Sequence, residues 1–156
     1  MDVTTLAHNN SLLHKVQHDF PEFHFIEDEA FRWSAYDTTI YYSRNSFTEA
    51  ELLHELAHAI LEHQDYIQDI ELIQLERAAW EHAARVLAPR YELFIPSAFI
   101  DDLLETYRDW LHARSTCINC RQTGLQTKTG TYQCLNCRCQ WRANEARICM
   151  LRRYKA

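Results

Sequence analysis

The sequence predicts an α+β protein in which helices outweigh strands, and three observations carry that expectation. Of 156 residues only two are glycine and three are proline, so few positions break a helix. A hydrophobic content of 47% with 12% aromatics is enough for one ordinary core plus a small appendage, and it argues against a disordered chain. Between Glu22 and Arg44 the pattern changes to aromatic and β-branched residues, which places a small sheet among the helices.

Each element follows from its own residues. Leu6, Leu12, Leu13 and Val16 recur at helical spacings and Pro21 blocks continuation, so residues 3–18 read as a first helix with His8, His14 and His18 facing solvent. Phe23, Phe25, Phe31, Trp33, Ile40, Tyr41 and Tyr42 mark two or three short strands, with a turn near Tyr36-Asp37. Ser46, with Glu49 three residues on, makes a capping box for a helix over residues 47–64. Leu53, Leu56, Ala57, Ile60 and Leu61 supply its buried face. A short acidic link, residues 64–69, leads to a second helix over 70–88 that Pro89 closes. Another helix follows Pro96, with Phe99, Leu103, Leu104, Tyr107 and Leu111 on one side. Near Arg114-Ser115-Thr116 the composition turns to cysteine, glycine and basic residues, which predicts a boundary between domains 1–113 and 114–156.

The net charge of −6 hides a division along the chain. Residues 113–156 hold nine Lys/Arg and one acid, leaving seven Lys/Arg and 21 acids before them, so the tail is +8 and the body −14. Such asymmetry points to an acidic partner for the tail, most simply nucleic acid, or to the two parts docking on each other. The start, Met1-Asp2-Val3-Thr4-Thr5, has neither the basic residues nor the apolar run of a secretory signal, and no stretch is apolar enough for a membrane span. A cytoplasmic protein without a membrane partner is expected. Five of the six cysteines fall between Cys117 and Cys139, a spacing suited to metal-bound thiolates rather than to disulfides.

The most informative stretch is His54-Glu55-Leu56-Ala57-His58. Imidazoles four residues apart on a helix project from one face and can chelate one metal ion, usually Zn2+, while the intervening Glu55 is held where it can take a proton from a water. This is the core of a metal-dependent peptidase. A catalytic zinc normally takes three protein ligands, so a third lies downstream. The metzincin position is Gln64 instead of histidine, which excludes that class. On a continuing helix Glu62 and His63 rotate away from the metal face, into solvent or behind a ligand. On an antiparallel following helix Glu71, Glu76, Glu81 and His82 all come into range.

The run Leu52-Leu53-His54-Glu55-Leu56-Ala57-His58-Ala59-Ile60-Leu61-Glu62-His63, then Glu76-Arg77-Ala78-Ala79-Trp80-Glu81-His82-Ala83 and Leu87-Ala88-Pro89, resembles the ImmA/IrrE metallopeptidases over about residues 36–90. The resemblance implies a helix-rich zincin-like catalytic domain with a small sheet. It makes Glu76 the third ligand beside His54 and His58, with Glu55 as general base. It also implies a protein substrate, such as a DNA-bound repressor. Trp80 departs from the Asp or Asn common at its position, so the histidine such a residue would orient needs another support. His82 stands at an aromatic position. Tyr66, His82 and Tyr91 are the candidates for stabilising the oxyanion. The Ile40-Tyr41-Tyr42 strand either presents an edge to an extended peptide or belongs to the core.

Cys117-Ile118-Asn119-Cys120 and Cys134-Leu135-Asn136-Cys137 are two C-x-x-C knuckles 13 residues apart, with Gly124 and Gly130 in a hairpin between them. Four thiolates so spaced close a tetrahedral structural Zn2+ site in a zinc ribbon, giving one catalytic and one structural zinc per chain. Cys139 could replace Cys137, and Cys149 reads as part of a terminal helix with Ile148, Met150 and Leu151. Arg121, Lys128, Arg138 and Arg142, interleaved with Tyr132 and Trp141, suit contact with phosphates and bases, unless the aromatics simply cover the small metal core. Two rivals stand beside a zinc metalloendopeptidase. A SprT-like protease acting on DNA-attached proteins also joins this helix to a zinc ribbon, but its His-Gly-x-x-Trp-type segment is absent here. A non-catalytic DNA-binding adaptor would not need the intact Glu55.

Overall fold

A computed structural model describes residues 3–147 and 149–156, and the fold is α+β. The side chains of Leu6 and His8, and Ile148, lie outside the described residues. By internal contacts the chain forms two compact units, Met1–Gln64 with Arg77–Ser97 and Asp65–Glu76 with Ala98–Ala156. Among the described residues no helix is long and apolar enough to cross a membrane.

The first unit begins with helix α1 (Val3–Asp19), whose Leu12, Leu13 and Val16 are buried. Strands β1 (His24–Glu27), β2 (Arg32–Ser34) and β3 (Thr39–Tyr42) follow in the spatial order β1-β3-β2, β3 running parallel to β1 and antiparallel to β2. The Ile40-Tyr41-Tyr42 strand is therefore the middle of the sheet. Both its edges are already hydrogen-bonded, so it is a core strand and offers no edge to a peptide.

Helix α2 (Glu49–Ile60) packs on β2 and β3 and buries Leu52, Leu53, Leu56, Ala57 and Ala59. Its cap is Thr48 rather than Ser46. The Thr48 side chain accepts from the Glu51 N–H at 3.2 Å and donates to the Glu51 carboxylate at 2.7 Å, a capping box set two residues later than the one read from Ser46 and Glu49. The helix also stops earlier than residue 64. Glu62 adopts a left-handed φ of 54°, and the His63 N–H turns back to the His58 carbonyl at 3.0 Å. Trp33 secures that turn by donating its indole N–H to the His63 carbonyl at 3.0 Å.

Helix α3 (Asp69–His82) runs into a π-helical turn, Ala83–Leu87, and a last short helix α4 (Ala88–Arg90). Pro89 does not terminate the helix at residue 88. It sits in the first turn of α4, where its missing N–H costs little.

The second unit combines the start of α3 with helix α5 (Ser97–Ser115) and strands β4 (Gly124–Lys128), β5 (Thr131–Cys134), β6 (Gln140–Ala143) and β7 (Arg153–Lys155), which form an antiparallel meander in sequence order. The segment after Ala143 is thus a connection and a fourth strand instead of a terminal helix. Gly124 is required where β4 passes Trp141, since a Cβ there would lie 2.4 Å from the indole.

Arg114 and Asp69 are the charged pair at the centre of this unit, 2% and 1% exposed. The Arg114 Nε donates to Asp69 Oδ2 at 2.7 Å, its Nη1 to the carbonyls of Asn144 and Glu145, and the Tyr132 hydroxyl donates to the same carboxylate. Gln126 closes the network, accepting from the Asp69 N–H at 2.7 Å and donating to Asp69 Oδ1 at 3.3 Å. Such a pair tolerates burial only because nearly every donor and acceptor is matched.

Candidate metal centres

His54 and His58 leave α2 on one face, as their four-residue spacing requires, and their Nε2 atoms lie 3.2 Å apart. A tetrahedral ion holding nitrogens at ~2.0–2.1 Å needs them about 3.4 Å apart, so the pair is set at a chelating distance. Glu76 joins them. One donor atom from each of His54, His58 and Glu76 lies within 4.8 Å of the others, and Glu76 is 6% exposed. A carboxylate this buried beside two imidazoles suits a cation between them. The group could hold a metal ion.

The other carboxylates considered for this place are engaged elsewhere or turned out. Glu71 accepts from the N–H groups of Ile67 and Gln68 at 2.9 and 3.0 Å at the start of α3, which lowers its pKa. Glu81 is exposed, His82 is half-buried, and neither belongs to the group. Glu55, between the two histidines on α2, remains partly accessible to solvent.

Two neighbours support this site: His63, which the sequence places either in solvent or behind a ligand, and Trp80, to which it assigns no role. His63 reaches His58 because α2 ends before it: the Nδ1 atoms of the two rings are 2.9 Å apart. A ligand imidazole commonly needs such a partner on its second nitrogen to fix its tautomer. Trp80 lies flat on His54, with ring centroids 4.0 Å apart and an interplanar angle of 14°. The residue at the departing position therefore stacks on one of the two histidines.

Tyr66 and Tyr91 donate their hydroxyls to carboxylates. The Tyr66 hydroxyl meets Glu145 at 2.5 Å, and burial and that carboxylate push its pKa up to about 12. Tyr91 does the same with Asp19 at 3.0 Å.

The second group is Cys117, Cys120, Cys134 and Cys137, whose sulfurs all lie within 4.8 Å of one another. Cys117 and Cys137 are 3.6 Å apart and Cys120 and Cys134 3.5 Å, near the roughly 3.8 Å edge of a tetrahedron of thiolates at ~2.3 Å from an ion. The two knuckles are local copies of each other. Each sequence reads C-x-N-C-R, the arginine N–H returns to the first cysteine's carbonyl at 3.0 Å, and Arg121 and Arg138 take left-handed φ values of 61° and 59°. A hydrogen bond from the Asn119 side chain holds the Cys137 thiol down at about 6, so it is ready to ligate as thiolate at neutral pH. Cys134, despite a backbone hydrogen bond from Cys137, is pushed up to about 11 by burial and the Cys120 thiol. Binding a cation there would displace its proton.

Cys139 is outside the group and Cys149 is exposed. Tyr132 and Trp141 stack at 5.6 Å and are 1% and 0% exposed, packed with Cys117 and Cys134, so they cover the cysteine cluster and cannot stack on bases. Arg121, Lys128, Arg138 and Arg142 are all exposed. Of the other basic residues of the segment, Arg114 is buried and Arg153 donates to the carbonyls of Ala113 and Thr116 at 3.2 and 2.8 Å. No protein-family model matches the chain, and comparison with curated proteins and with solved structures returns no significant match.

Proposed function

We propose that this chain is a zinc-dependent peptidase of the ImmA/IrrE type, acting on a protein substrate, with a second, structural zinc in its cysteine cluster. The observation that carries this reading is the convergence of His54, His58 and Glu76 around the helix that also bears Glu55. His54, His58 and Glu76 would hold the catalytic ion, and Cys117, Cys120, Cys134 and Cys137 the structural one. When bound, a zinc ion supplies Lewis acidity to a water and to a peptide carbonyl. Glu55 takes the proton of the attacking water and hands it to the departing amine. His63 and Trp80 keep the two ligand rings from turning away.

Glu55→Gln is expected to retain zinc and fold while losing cleavage by at least about a hundredfold, because the amide cannot accept the water's proton. Cleavage of a panel of DNA-binding repressors by wild type and variant checks this. Equal cleavage by both would exclude Glu55 as the base.

A DNA-bound regulator is the substrate class that fits the charge division. The exposed cations Arg121, Lys128, Arg138 and Arg142 suit phosphate contact, and with Tyr132 and Trp141 buried the binding is electrostatic rather than by stacking. Duplex affinity should therefore fall steeply with salt. Arg121→Asn, Lys128→Gln, Arg138→Asn and Arg142→Gln together should flatten that dependence, asparagine being chosen where φ is positive. Unchanged mobility shifts at two salt concentrations would remove nucleic acid from the proposal.

A further inference from the structure

We propose that the cleft bounded by α1 and the end of α4 binds the phosphate group of a small phosphorylated ligand. This site is separate from both candidate metal centres and does not depend on the peptidase reading. The cleft has a volume of about 540 Å3, within the range of small-molecule sites, and none of its lining residues belongs to either group of metal-binding donors. Both of its walls come from the same compact unit. On one side His14 and Lys15 stand four and three residues before His18, so each is a helical neighbour of that ring. On the other side lies Arg90.

Asp19 organises these donors. Its Oδ1 meets His18 Nδ1 at 3.3 Å, and its Oδ2 accepts from Arg90 Nη2 at 2.8 Å and from the Tyr91 hydroxyl at 3.0 Å. With both oxygens engaged, its charge is balanced by groups already in the wall of the cleft. The Arg90 guanidinium carbon also lies 5.0 Å from the Phe20 ring centroid and 5.7 Å from that of Tyr91, which gives a half-exposed arginine a defined position. Its Nε and Nη1 have no acceptor among the described residues, and neither has the exposed Lys15. A phosphate dianion suits this set: a planar fork from Arg90, a point charge from Lys15, and a ring N–H from a protonated imidazole. The exposed Glu92 is the remaining acid of the lining and opposes such a ligand. Histidines four residues apart could also chelate a cation, but among the described residues His14 and His18 belong to no group of three converging donors, and Lys15 and Arg90 beside them repel one.

Inorganic phosphate and AMP are the probes, with adenosine as the uncharged control, titrated by calorimetry into the zinc-loaded full chain at constant ionic strength. Phosphate should compete with AMP for one site, and adenosine should not bind. Lys15→Gln, which removes no contact among the described residues, should weaken both anions at least about fivefold, and Arg90→Gln at least about tenfold. Glu92→Gln should tighten both about twofold or more by removing a like charge, a gain that damage to the fold would not produce. The proposal is overturned by no saturable phosphate binding to wild type, by unchanged affinity in Lys15→Gln, or by adenosine binding as tightly as AMP. Phosphate binding that survives Lys15→Gln but is lost in His58→Ala would also overturn it, placing the anion on the metal centre instead.

Discussion

Removing metal from this chain is expected to unfold the four-stranded meander outright. Its strands are three to five residues long, and its core is little more than Tyr132, Trp141 and the cysteines themselves. So small an apolar centre does not offset the entropy of ordering the surrounding chain. In small metal-nucleated domains the binding free energy, about 10–16 kcal/mol for a structural zinc, is the folding free energy. Cys134→Ala in the full chain should have the same effect as a chelator. The readout is hydrogen exchange at the Trp141 indole, whose N–H bonds the Arg114 carbonyl at 2.9 Å. Protection of that proton in metal-free protein would show that the cysteine group is not what holds the sheet together.

Asp69→Ala should destabilise the protein by about 3–5 kcal/mol, because it strands a buried guanidinium without its carboxylate. For a chain of this length that is a fall in Tm of roughly 6–20 °C. The Tyr132 hydroxyl loses its acceptor in the same step. Replacing Arg114 by Met in the same protein should recover part of the loss, since no uncompensated charge then remains. Thermal unfolding of the metal-loaded single and double variants measures both. A shift under about 2 °C for Asp69→Ala would mean that water or another acceptor takes the place of the carboxylate.

What could be read from the sequence is what short-range geometry dictates. His54 and His58 face the same way because a helix turns once in about 3.6 residues. Cys117, Cys120, Cys134 and Cys137 form pairs because two intervening residues suffice for a knuckle. The positions of α1, α2, α3 and α5 followed from apolar spacing and from Pro21 and Pro96, and two or three strands from the aromatic run between Glu22 and Arg44. Other features depended on contacts between distant segments, which spacing does not encode. Spacing alone left Glu71, Glu76, Glu81 and His82 equally placed, and only the family resemblance singled out Glu76. In the structure the path of α3 brings Glu76 to the histidines and leaves Glu71 capping a helix. The early end of α2 decided between the two places open to His63, solvent or behind a ligand, and set it against His58. Thr48 displaced Ser46 as cap because the chain enters α2 two residues later. The place of Ile40, Tyr41 and Tyr42 in mid-sheet was decided by parallel pairing with β1, a long-range choice that closed an edge the strand's own residues leave open. Tyr132 and Trp141 have the same composition whether they read bases or cover a metal core, and only their burial against Cys117 and Cys134 distinguishes the two.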